Sequence, residues 1–389
     1  MPKQFHSKEF DPSTRLKLDI FRRYVREWIP VFLSGYKAKP NFPRMCLFDL
    51  FSGPGMDTDG NPGTPIIILE ELQNYCSQHA NKKSSDVKIE LFFNDVKRNN
   101  TNALTMHLNS IRCQKNCCEI CILNSPFEQL LQDQRICQPL ASKDAACLVI
   151  LDQFGIKHVD TDVFQFFSKC PTTDLLFFIS SSFVKRFADD PSFNTRLPIK
   201  PEEIKATDIK NIHRKLCENY KSIIPANIEY YLSHFSILKE KNIYGIIFGS
   251  KKLLGLEKFL KVAWEVDNET GEANYDIDND PIRSNHGSTK FFPEMKEMNS
   301  YKKVDLFEDE LRNALIRDQM SNVQLYRFCL ERGFLPNHVN ELLKKWHEKN
   351  DLLVIPQINS RSVPRKGCYY IGWKYYDNND EKLVFRIKE

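Results

Sequence analysis

Five short apolar runs, the first four parted from one another by stretches able to form a helix, constrain this chain more than any other feature. They are "MCLFDLF" (Met45 to Phe51), "KIELFFND", "CEICILN", "ACLVILDQFG" and "DLLFFISSS", and "PIIILEELQNYCSQ", "NALTMHLNSI" and "PFEQLLQ" separate the first four. Runs so short and so continuously apolar suit strands buried on both faces, and their alternation with helices implies a covered parallel sheet. The series ends differently. "EYYLSHFSI" and "IYGIIFGS" are separated only by "LKEKN", which is too short for a crossover, so they pair antiparallel. Five parallel strands finished by a hairpin is the plan of the class I methyltransferase sheet, an α/β, Rossmann-like fold. A dinucleotide-binding sheet more often ends with another parallel crossover.

Ahead of the sheet, "LKLDIFRRYVREWIPVF" sets Leu18, Phe21, Val25, Trp28 and Phe32 at three- and four-residue steps, an amphipathic helix that Pro40 and Pro43 help to close. After the first strand, Thr64 is placed to cap, and Pro65 to begin, the helix "PIIILEELQNYCSQ". A chain of 389 residues, 41% hydrophobic, is long enough for two domains with a large core. No run reaches the roughly 18 to 20 apolar residues of a membrane helix, and Met1 to Asp11 lacks the apolar core of a signal peptide. The expected location is the cytoplasm, where twelve irregularly spaced cysteines read as reduced thiols. A net charge of +4 permits a nucleic-acid partner without requiring one.

The turn after the first strand, "FDLFSGPGMDTDGNPGTP", points to a ligand. In an open parallel sheet, ligands bind beyond the carboxyl ends of the strands where strand order reverses, and this loop lies there. Phe51 opens the turn, and Gly53 and Gly55 admit a ligand that a Cβ would exclude. Asp95, ending the second strand, is placed to accept hydrogen bonds from ribose hydroxyls. Its distance from the first glycine exceeds the roughly 20 residues of the dinucleotide fingerprint, and no Gly-Lys-Ser/Thr follows to hold phosphates. S-adenosylmethionine, a nucleoside without phosphate, fits best. Asn124 and Ser125 follow the third strand, where such sheets meet an adenine ring and where a plain loop turn would equally place them.

The fourth strand ends in "LDQFG". Methyl transfer to an exocyclic amine needs acceptors that hold the NH2 group and an aromatic face against the base. Asp152, the carbonyl of Gln153 and the ring of Phe154 supply these parts; the structural alternative is an acid capping a loop beside a buried Phe. Amine methyltransferases usually carry proline second in this motif, and Gln153 loses the fixed φ that proline imposes. The cysteines of "CQKNCCEIC", Cys113, Cys117, Cys118 and Cys121, run into an extended strand and read as core residues, so no metal site is assigned. Ser180, Ser181 and Ser182 lack a glycine elbow and read as a strand end near the pocket.

"LKLDIFRRYVREWIPVF", "FDLFSGPG", "GTPIIILEEL", "LDQFG" and above all "GLEKFLKVAWEVD" followed by "GEANYDID" resemble the three-Cys-motif partner family of bacterial and phage-associated proteins. The likeness runs over most of the chain. It implies a methyltransferase-like domain, a C-terminal winged helix and a radical-SAM-like companion protein whose cysteines name the family. The chain departs from the family at position 153, Gln in place of the proline of DPFG. DPFG is similar to a motif of tRNA guanine N2-dimethyltransferases, which makes RNA an expected substrate.

The chain beyond residue 295 reads independently as that winged helix, giving expected domains of 1–295 and 296–389. "VDLFEDELRNALIRD" carries Phe307, Leu311 and Leu315 on one face; "SNVQLYRFCLERG" begins at a capping Ser321 and stops at Gly333; "PNHVNELLKKWHEKN" buries Val339, Leu342 and Trp346. Two strands, "LLVIP" and "CYYIGW", would follow around the wing "QINSRSVPRKG". His338, Asn340, Glu341, Lys344 and Lys345 would face outward, with Arg361, Arg365 and Lys366 meeting phosphates. From Tyr301 onward, 16 Lys and Arg stand against 13 Asp and Glu, so docking of a protein is an equal use of the domain.

Two readings follow. One is an S-adenosylmethionine-dependent methyltransferase acting on a base amine of RNA or DNA, working with the radical-SAM-like companion. The other is a catalytically inactive scaffold that docks the companion and presents nucleic acid to it.

Overall fold

The computed structural model describes residues 9–34, 42–79, 87–111, 117–153, 160–190, 197–240, 242–278, 303–357 and 367–388. Pro40, Cys113, Phe154, Arg361, Arg365 and Lys366 lie outside these residues. The chain divides into two compact units, Met1–Lys258 and Phe259–Glu389.

Seven strands form the sheet of the first unit: β1 (Arg44–Asp49), β2 (Lys88–Asn94), β3 (Glu119–Leu123), β4 (Ala145–Leu151), β5 (Thr173–Ser180), β6 (Tyr231–Lys239) and β7 (Asn242–Ser250). Their order is β3-β2-β1-β4-β5-β7-β6. The first five run parallel, while β7 pairs antiparallel with both β5 and β6, from Tyr231↔Ser250 to Lys239↔Asn242. This is the class I methyltransferase arrangement expected from the alternation of runs. Every residue of "AACLVIL" in β4 is buried, as a central parallel strand covered on both faces requires. Strand order reverses between neighbours β1 and β4, so the loops leaving them diverge and open a crevice.

Helix α1 (Pro12–Leu33) is capped by Asp11, whose carboxylate accepts from the N–H groups of Ser13 and Thr14, a cap worth about 1 kcal/mol. The apolar stripe is buried as expected, with Leu18, Phe21, Val25 and Trp28 inward. Two polar groups fix how the helix lies. Tyr24 Oη and Trp28 Nε1 donate to the half-buried carboxylate of Asp174 on β5, at 2.8 and 3.0 Å. Arg22 and Arg26 grip Glu71 of α2 (Thr64–Gln78) at 2.9 and 2.8 Å. Gly63, rather than Thr64, occupies the cap position of α2 and, lacking a side chain, makes no capping bond; Thr64 and Pro65 lie in the first turn. Helix α3 (Arg98–Ser110) follows β2.

The serine run departs from an all-strand reading. Ser180 ends β5 and caps a short helix, Ser181–Arg186, by accepting from the N–H of Phe183. Ser181 turns inward onto the fully buried His213 at 2.8 Å, and Ser182 accepts from the N–H of Ile243.

In the second unit, helices α4 (Lys303–Arg317), α5 (Asn322–Glu331) and α6 (Pro336–Glu348) occupy the expected positions, with Ser321 and Gln324 forming a capping box and Gly333 at a φ of 78°. The three-stranded sheet has the order β8 (Met320–Ser321), β10 (Leu383–Ile387), β9 (Leu352–Pro356). The expected strand "CYYIGW" is not one. Tyr370 takes a φ of 58°, which breaks an extended run, and Trp373–Asp377 is helical; Leu383–Ile387 pairs with β9 instead. Asn322, fully buried, holds this segment: its amide donates to the carbonyls of Tyr370 and Asp380 and accepts from the N–H groups of Lys382 and Leu383.

Candidate functional site

The site is built where β1, β2 and β4 end. Beyond Asp49 the backbone turns through Gly53 and Gly55, at φ of 59° and 86°, values a residue with a Cβ rarely adopts. The N–H of Gly53 donates to Asp95 Oδ2 at 3.1 Å, and the N–H of Lys97 donates to Asp95 Oδ1 at 2.7 Å. One carboxylate thereby holds two loops and keeps lone pairs free for further donors. Gly55 is packed from the other side: a Cβ there would stand 2.7 Å from Leu104 Cδ1, and its carbonyl accepts from the N–H of Gly63 at 2.7 Å.

Asn94, a residue the sequence reading passed over, clamps the ends of β1, β2 and β3. Its amide donates to the carbonyls of Leu50 and Ser125 at 3.2 and 3.1 Å, its Oδ1 accepts from the N–H of Ser125 at 3.0 Å, and its own carbonyl accepts from the N–H of Ser52 at 2.8 Å. Ser125 therefore positions backbone. Asn124 does the same, its amide donating to the carbonyls of Asp95 and Val96 at 2.7 and 3.0 Å. Phe51 stacks on Phe127 with ring centroids 5.0 Å apart. Val96, also passed over, is 62% exposed directly after Asp95. An apolar surface beside a carboxylate with free lone pairs, at the mouth of a bare-backbone turn, fits a nucleoside: hydroxyls on the acid, a flat ring along the valine.

A cavity of about 70 Å³ lies between this turn and β4, and Lys17, Asp49, Gly55, Thr64 and Asp152 are among its walls. Lys17 and Asp152 form an ion pair, and Lys17 Nζ also stands 4.8 Å from the centre of the Phe178 ring. Asp49 is completely buried. Burial first, and then the charge of Asp152, push its carboxyl up to about 8, against the N–H of Phe51, which donates to it at 3.1 Å. Gln153 is buried, with Nε2 3.5 Å from the carbonyl of Phe178. The sequence carried a signal for both missed residues: Asp49 is an acid inside a buried run, and Lys17 stands four residues before Phe21 on the apolar stripe of α1.

In the second unit, Lys344 is exposed, with Glu348 Oε1 4.0 Å away, whereas Lys345 is held by both oxygens of Glu308 at 2.8 and 2.7 Å. His338 does not face outward. Its Nδ1 accepts from the N–H of Leu335, it packs 4.3 Å from the Trp264 ring, and burial pulls its imidazole down to about 4.

Residues 274–359 match a family described as the GMT-like wHTH domain. A search of curated proteins finds no match. Among solved structures, the chain is similar to spermidine synthase from Thermotoga maritima (13% identity, TM-score 0.31), covering 62% of this chain and 63% of that one. It is also similar to an O-methyltransferase from Bacillus cereus in complex with SAH (10% identity, TM-score 0.32; 63% and 92%) and to a SAM dependent methyltransferase from Aquifex aeolicus (13% identity, TM-score 0.29; 62% and 100%). The chain thus spans under two thirds of the synthase. At these scores, strand order rather than likeness carries the methyltransferase fold, and the winged helix joins it.

Proposed function

We propose that the chain is an S-adenosylmethionine-dependent methyltransferase whose acceptor is an amino group on a nucleic-acid base. The observation that carries this reading is the pairing of Gly53 with Asp95 beside an exposed Val96, one strand away from a cavity walled by Asp152. Asp95 would accept the ribose hydroxyls, Val96 would flank the adenine, and the turn from Phe51 to Gly55 would admit the amino-acid end. The cofactor supplies an already activated methyl group, so the protein's part is proximity and orientation. Asp152 would accept from the acceptor's N–H and aim its lone pair, and Asp49, which burial raises to about 8 and so keeps largely protonated at neutral pH, stands in the same cavity. Lys344 and the wing would meet phosphates, and the family resemblance supports a radical-SAM-like companion.

The scaffold reading draws support from one observation: Lys17 already fills the place beside Asp152. Incubation of the purified chain with methyl-labelled S-adenosylmethionine and total RNA or DNA separates the two. The enzyme reading expects label in one nucleic acid, reduced at least about a hundredfold by Asp152→Ala. Label in neither, with or without the companion, favours the scaffold.

A further inference from the structure

Lys17 is buried at 9% exposure on the apolar face of α1, where an ammonium is costly unless paired. The cavity meets that cost in two ways. Asp152 supplies a carboxylate, and the Phe178 ring supplies a face 4.8 Å from Nζ. The aromatic surface continues, since Phe178 stacks on the half-buried Tyr244 with centroids 5.6 Å apart and planes 10° off parallel. Asp49, from β1, completes the acidic side. A carboxylate opposite an aromatic wall is a recognition site for an amino group, and here the chain's own amino group sits in it.

We propose that Lys17 is an internal occupant of the acceptor subsite: its ammonium marks where the acceptor's amino group is held, and the acceptor enters by taking Asp152 from it. The inference rests on the cavity being the methyl-acceptor site, and it names the reacting group as an amine. Exchange of one amino group for another keeps Asp152 hydrogen-bonded throughout, which avoids an unpaired buried carboxylate. The four-carbon stem of lysine, with its rotatable bonds, allows the head to leave without moving α1.

The test removes the occupant and offers a free one. Lys17→Ala, wild type and the double variant Lys17→Ala/Asp152→Asn are titrated with ethylammonium chloride, with sodium chloride and n-propanol as controls, and followed by calorimetry and thermal unfolding. In Lys17→Ala, ethylammonium should bind saturably and raise the folding constant about elevenfold at ten times its Kd. Wild type should bind it at least tenfold more weakly, and the double variant should not bind it. Should Ala not fold, Lys17→Leu with methylammonium retains the apolar stem. An equal response to ethylammonium and sodium chloride overturns the proposal. So does failure of both variants to fold in alkylammonium, because Lys17 would then be a fixed part of the structure. The probe needs no cofactor, so titration of the same variants with S-adenosylmethionine reports separately on the cofactor site.

Discussion

The N–H of Gly53 donates to the carboxylate of Asp95 at 3.1 Å, joining the turn after the first strand to the end of the second. Asp95 thereby shapes the turn, and the proposed function gives it a second task, accepting ribose hydroxyls. Asn at this position keeps an acceptor for Gly53 but loses the charge, and Ala loses both. Asp95→Asn should weaken S-adenosylmethionine binding about tenfold and Asp95→Ala by more, read by calorimetry. Equal, unimpaired binding in both would remove the ribose role.

Gly55 is constrained twice, by a φ of 86° and by Leu104 Cδ1, 2.7 Å from where a Cβ would stand. Gly55→Ala should cost about 2 kcal/mol in urea unfolding. It should also displace the carbonyl that receives Gly63 and so weaken cofactor binding.

Buried His213 gives the first unit a pH dependence. Burial pulls its imidazole down from 6.5 to about 3, with the carbonyl of Ile179 and the hydroxyls of Ser181 and Ser236 around it. The folded chain keeps it neutral where the unfolded chain protonates it, so its contribution is complete above about 6.5 and is lost as pH falls toward 3. Asp174 acts with the opposite sign. Burial raises its carboxyl from 3.8 to about 6, against hydrogen bonds from Ser250, Tyr24 and Trp28, so its contribution falls as pH rises through that range. Thermal midpoints of wild type minus those of His213→Gln isolate the histidine, and that difference should shrink on acidification below 6.5.

Asn322 makes four hydrogen bonds from a fully buried side chain. Asn322→Leu keeps the volume but unpairs Tyr370, Asp380, Lys382 and Leu383, and should lower the stability of the second unit by about 3 kcal/mol. The shift of the second unit's unfolding transition, read by calorimetry of the full chain against wild type, measures it.

The parallel strands were legible because burial on both faces leaves a continuous apolar run, as in "AACLVIL", and Asp95 because it ends one. Other features depend on distant partners. Lys17 meets Asp152 across 135 positions, and nothing local to α1 reveals the carboxylate awaiting it. Asn94 reads locally as a strand terminus, and only the fold brings the ends of β1 and β3 to its amide. "CYYIGW" has the aromatic composition of a strand, but Tyr370 takes a positive φ, its carbonyl accepts from Asn322 and Tyr369 packs on Phe385, contacts that only the fold brings together. His338 lies on a helix position that alternation alone leaves open, and Trp264 draws it inward.

The central claim is that the crevice at the ends of β1 and β2 holds S-adenosylmethionine. Calorimetric titration of the purified chain with S-adenosylmethionine, with NAD as the contrasting nucleotide and Asp95→Ala as the control protein, tests it most directly. The account predicts saturable binding of S-adenosylmethionine that is lost in Asp95→Ala, and none of NAD. Absence of binding at millimolar S-adenosylmethionine, or binding indifferent to Asp95, would contradict it.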